Sequence, residues 1–246
     1  MKYLATTVAS IALGVSAGAA LAEEHAHYDL SPFYENGQLL VGGLDHDGGT
    51  IAPPVSVFGY EFGEEPLDPL NPTDPGVNQH AGVGNLPAGA ALRYNILSNL
   101  IYWDGVSEAS WGLPPGATYL DLTMGTTTRT LNGTSGPQVG SLIQSVASNG
   151  SVHKHFVSSL FAAPGSSNVP GDAGFLAPAD GIYAFQVELT LTPAGGSTLT
   201  SDPVWIVFNN GLTEEQHDAA MESLVPEPTM LSLLGLPALL MLRRRR

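Results

Sequence analysis

The chain has 246 residues and no cysteine, and it carries 23 acidic side chains against 8 lysines and arginines. Without cysteine there is neither a disulfide framework nor a thiolate metal site. The acid excess argues against nucleic acid and anionic lipid surfaces as partners, because the chain has too few cations to neutralise phosphates.

Residues 1–22 open with Met1 and Lys2, continue through an apolar run of small residues and end in Ala20-Leu21-Ala22. A positive start, a short apolar stretch and small residues at the −3 and −1 positions predict a secretory signal peptide, removed by signal peptidase after Ala22. Residues 23–225 then form the body. Only Arg93, Arg129 and Lys154 are cationic there, against 22 of the 23 acids, a formal excess of 19 negative charges. A body of this length fits one sandwich- or barrel-sized domain. So acidic a surface attracts cations, and is read either as a device for solubility or salty surroundings or as divalent-metal binding.

The body begins with His25, His27 and Asp29 at alternate positions, which a strand would place on one face. Asp45-His46-Asp47-Gly48-Gly49 starts like a calcium loop, but the fifth and twelfth positions are Gly49 and Ser56, which excludes an EF-hand. A tight turn with solvated carboxylates is the expectation, with a loose calcium or zinc contact through Asp45, His46 or Asp47 as the alternative. Val55 to Phe62 alternates as a strand. Glu64 to Asp74 is acidic and proline-rich, which excludes a central strand and predicts a surface loop. His80 follows it.

Arg93 to Trp103 reads as a strand pair or a short helix, and Thr118 to Met124 as a strand. Ser151 to Phe161 is a further strand and carries His153 and His155, again at i and i+2, spaced to converge on one ion. Gly181 to Thr192 is the clearest strand, with Tyr183, Phe185, Val187, Leu189 and Leu191 sharing one face. Asp202 to Asn209 is apolar enough for burial on both faces. Thr213 and Gln216 form a capping-box pattern opening one helix that ends near Leu224, with His217 expected on its surface. Many short strands and one helix predict a mostly β fold, an antiparallel β-sandwich, with a jelly-roll or barrel as the alternative.

The chemistry-bearing residues are therefore the two His-x-His pairs. His25, His27, His153 and His155, with His80 as a fifth member, form the expected metal set. Imidazole and carboxylate donors suit zinc or another divalent metal such as copper, iron or nickel. No G-x-S-x-G elbow, P-loop or dinucleotide fingerprint occurs in the body, so no catalytic or organic-cofactor residues are assigned.

Residues 226–246 begin with Pro226-Glu227-Pro228 after Val225, continue through an apolar stretch, Thr229 to Leu242, of 14 residues interrupted by Pro237, and end in Arg243 to Arg246. A stable span needs about 20 residues, so the stretch predicts transient membrane anchoring, with the arginines cytoplasmic. The V-P-E-P motif, short apolar run and terminal basic cluster resemble PEP-CTERM sorting signals. That resemblance implies processing by a membrane protease of the exosortase type and a location in the cell envelope, on the surface or outside the cell. The body also resembles a group of uncharacterised exported PEP-CTERM proteins. The shared features are Asn36 to Leu39 (N-G-Q-L), Thr73 to Gly76 (T-D-P-G), Asn149 to His155 (N-G-S-x-H-x-H) and a W-I-V-F-N run before an acidic helix. Some of those proteins are thought to be under a zinc-uptake regulator, which implies zinc. The functional expectation is a non-enzymatic surface or matrix protein that binds a divalent metal. A metal-dependent hydrolase acting outside the cytoplasm is the alternative.

Overall fold

The computed structural model describes residues 28–45, 49–64, 68–106 and 110–225. Asn36 and Gly37 have φ of 50° and 80°, the left-handed pair that a type I′ turn requires. They join β1 (Tyr28–Glu35) to β2 (Gln38–Asp45) in full antiparallel register. Beyond this hairpin come β3 (Thr50–Ile51), β4 (Val57–Glu61), β5 (Gly76–Gln79), β6 (Ala91–Ile96) and β7 (Ile101–Trp103). Next are β8 (Tyr119–Met124), β9 (Thr127–Leu131), β10 (Gln138–Ser145), β11 (Val152–His155) and β12 (Val157–Phe161). The chain continues through β13 (Gly181–Thr192), β14 (Leu199–Thr200) and β15 (Val204–Asn210) to the helix α1 (Glu214–Leu224).

The fold is mostly β and consistent with a β-sandwich, and its sheets are not closed into a barrel. One sheet has the order β11-β5-β1-β2-β3; a second runs β10-β6-β13-β15-β4, with β7 and β14 also pairing β13; the third is β12-β8-β9. Two of the pairings are parallel, β1 with β5 and β15 with β4. Residues 93–103 thus hold two strands, β6 and β7, each pairing with β13, and not a helix. The stretch from Ser151 to Phe161 is interrupted at Phe156, whose buried ring meets Tyr94 edge-on at 4.8 Å.

The alternation in β13 does what its sequence predicts: Tyr183, Phe185, Val187, Leu189 and Leu191 are all buried in the main core, with Leu30, Phe58, Leu92 and Phe208. Ile182 and Ala184 point the other way and are also buried. They join Trp103, Val207 and Ala220 in a second cluster beneath α1, so β13 and β15 are covered on both faces here. The helix has the expected capping box, Thr213 with Gln216.

His217 departs from expectation. It is buried, 1% exposed, with Nδ1 3.6 Å from Glu61 Oε1. The reason lies in β4: a Cβ at Gly59 would meet Met221 Sδ at 2.5 Å and His217 Cε1 at 3.0 Å. The missing side chain lets the helix approach the strand and covers its histidine face. Of the proline-rich segment, residues 68–74 run along the edge strand β12. Leu70, Pro72 and Pro75 offer carbonyls to the N–H groups of Leu160, Ser158 and Phe156. Among the described residues no helix is long and apolar enough to cross a membrane. The predicted signal peptide and residues 226–246 lie outside them.

Candidate metal centre

Strand β5 lies between β1 and β11 and brings their side chains together. Opposite it, His153 pairs with Asn78 and His155 with Gly76, while on the other side Leu30 pairs with Val77. Asp29 therefore stands beside Gly76 and Asn78 on the sheet face opposite Val77. Gly76 is what allows contact across the middle strand, since a Cβ there would sit 1.8 Å from Asp29 Oδ1 and 2.8 Å from Oδ2. The Asp29 carboxylate occupies the space that any larger residue would fill. Asp74, two residues before Gly76, enters from the loop. Ligand atoms of Asp29, Asp74 and His155 all lie within 4.8 Å of one another.

Asp29 is 2% exposed. Its Oδ2 accepts from Asn78 Nδ2 at 3.2 Å, and its Oδ1 has no hydrogen-bond partner among the described residues. A buried carboxylate oxygen left without a donor is costly, about 1–3 kcal/mol or more for a charged group. A cation placed there would satisfy it. Tyr60, fully buried, donates its hydroxyl to Tyr28 O at 2.8 Å. Burial, and after it the negative charges of Asp74 and Asp29, push its phenol well above the usual value of 10.0.

His155 is oriented from outside the cluster. Its Nδ1 lies 2.9 Å from Thr73 O, an atom that only accepts, which puts the proton on Nδ1 and the lone pair on Nε2. That Nε2 lies 2.9 Å from His153 Nε2, which then donates. A metal-ligating histidine is characteristically held through its other nitrogen by a backbone carbonyl in this way. Two nitrogens bound to one tetrahedral zinc at about 2.0–2.1 Å lie roughly 3.3 Å apart. With its proton moved to Nδ1, His153 would present its Nε2 near chelating distance of His155 Nε2, and on an ion the Asp29–Asp74–His155 atoms would draw together by about 1.5 Å at most. Two carboxylates with one or two imidazoles suit zinc and the other borderline divalent ions.

The structure brings together only part of the expected set. His153 and His155 share a face, as the i, i+2 spacing predicts. His80 is not in the cluster; it lines an open cavity of about 580 Å³ with Asn78, Asn149, Ser151 and His153. His25, His27, His46 and Asp47 lie outside the described residues. Asp45 N–H donates to Gly49 O at 2.7 Å and closes the turn between β2 and β3. Sequence reasoning missed Asp74 and Gly76. Their signal was the T-D-P-G segment, whose residues supply the Thr73 carbonyl, the Asp74 carboxylate and the open space at Gly76. No family model, curated protein or solved structure matches this chain.

Proposed function

We propose that this is an exported, non-enzymatic β-sandwich protein of the cell envelope, surface or extracellular matrix that holds one divalent ion, zinc or a close relative. Asp29, Asp74 and His155 are its ligands, with His153 taking a fourth position. The observation that carries this reading is the buried Asp29 Oδ1, without a hydrogen-bond donor among the described residues and within reach of a second carboxylate and an imidazole. A cation supplies the missing partner and offsets the repulsion between the two acids. His25 and His27, four and two residues before Asp29 in the sequence, are further ligand candidates. In this account signal peptidase removes residues 1–22, residues 226–246 anchor the chain transiently, and an exosortase-type protease acts near Pro226 to Pro228.

The test is zinc titration by calorimetry of wild type and a His153→Ala, His155→Ala double variant. Both residues lie on the edge strand β11, His153 exposed and His155 half-buried, so the double variant should fold. Wild type should bind about one zinc. The variant should lose more than the roughly 10–100-fold that removal of a mere outer-sphere partner costs. Equal affinity in the two proteins removes the histidines from the site.

A further inference from the structure

The sheet β12-β8-β9 buries Leu120, Leu122, Leu131 and Leu160 in the core. By the period of two, its other face carries Tyr119, Asp121 and Thr123 from β8. Facing them in register are Phe161 and Ser159 of β12 and Thr128 and Thr130 of β9. At one end of this face the rings of Tyr119 and Phe161 lie 4.7 Å apart and within 6° of parallel. On the β9 side of Tyr119 opens a cavity of about 500 Å³, also lined by Asp121, Thr130, Asn132, Leu113 and Pro164. Phe161 is not part of that lining. It backs the tyrosine ring and holds it as a fixed wall.

The polar groups here are half used. Thr130 Oγ1 donates to Asp121 Oδ1. Asn132 Oδ1 accepts from the backbone N–H and the hydroxyl of Thr134, at 2.8 and 3.1 Å. That leaves Asp121 Oδ2 as an acceptor and Asn132 Nδ2 as a donor, both directed by bonds their partner atoms already make. An aromatic wall beside a fixed acceptor and donor suits a ligand with an apolar C–H face and adjacent hydroxyls, each able to donate and accept. No lysine or arginine lines the cavity, and the body is strongly acidic, so an anionic ligand is disfavoured. We infer that this cavity binds a neutral sugar ring, a residue of an uncharged glycan, on a sheet distinct from the one that holds the candidate metal centre.

The experiment is affinity electrophoresis of the purified protein through native gels cast with a soluble β-1,4-glucan derivative, dextran or galactomannan, with alginate as the anionic counterpart. At least one neutral polymer should retard the protein, and alginate should not. Tyr119→Ala and Asp121→Ala should each weaken the retardation about tenfold or more, while Thr128→Ala, on the same face but outside the cavity, should leave it unchanged. Asp121 is half-buried at the surface, so its variant keeps the test open if Tyr119→Ala fails to fold. Lack of retardation by all three neutral polymers, retardation that persists in Asp121→Ala, or preferential retardation by alginate would each overturn the assignment.

Discussion

Asp29→Asn separates a binding carboxylate from a structural one. The substitution keeps the side-chain shape, and the amide oxygen still accepts from Asn78 Nδ2, as Asp29 Oδ2 does at 3.2 Å. It removes a negative charge whose carboxylate lies within 4.8 Å of that of Asp74. At that separation two unit charges repel by about 3 kcal/mol at an effective dielectric of 20, and less here because Asp74 is half-exposed. Without metal, Asp29→Asn should therefore stabilise the protein by about 1–2 kcal/mol, roughly 2–8 °C in Tm for a domain of this size. With zinc at a thousandfold its Kd, wild type gains about 4.1 kcal/mol while the variant, lacking the ligand, gains little. The order of stability should invert between chelator and zinc, read by thermal melts in both conditions. If the variant is less stable in both, Asp29 is a structural hydrogen-bond acceptor and the reasoning fails.

Gly76→Ala forces the carboxylate of Asp29 out of its place, since the new Cβ would overlap Oδ1 at 1.8 Å. It should cost about 1–3 kcal/mol from overpacking and abolish tight zinc binding, whereas a variant that melts and titrates like wild type would show that Asp29 can reach the ion another way. The pair His25→Ala, His27→Ala should weaken zinc binding and leave the metal-free melting temperature unchanged; calorimetry with wild-type affinity would confine the site to Asp29, Asp74, His153 and His155. The phenols of Tyr60, Tyr94 and Tyr183 are all raised above 10.0, in each case chiefly by burial. A raised folded-state pKa leaves stability level below the unfolded value and removes it above, because the unfolded chain releases the proton first. Urea midpoints should hold up to about pH 10 and fall beyond it, and a flat profile to pH 11.5 would contradict the burial of these rings.

Elements whose period and local chemistry agree were legible in the sequence. The strand β13 shows its core face in plain alternation, and the Thr213–Gln216 capping box places α1 to within a residue. The i, i+2 histidines of β11 share a face because strand geometry alone requires it. The rest depends on contacts distant in sequence. Asp74 reads as one acid in an acidic, proline-rich loop, and becomes a ligand only because β5 runs parallel to β1 and carries a glycine opposite His155. His217 looks solvent-facing on a polar helix, and is buried because Gly59 lets that helix settle onto β4. In both cases the sequence signal was an isolated glycine in a strand, which marks close approach without naming what approaches. Phe156 interrupts what reads as one strand because its ring turns into the core against Tyr94.

Everything proposed for the β1–β5–β11 face requires residues 23–225 to carry a divalent ion. Elemental analysis of that purified body, after dialysis without chelator at pH 7 and again at pH 5, tests it most directly. About one zinc or similar ion per chain is expected at pH 7, released at pH 5 as protons compete for the ligands. Metal-free protein at pH 7 whose melting temperature does not move on adding zinc would contradict it.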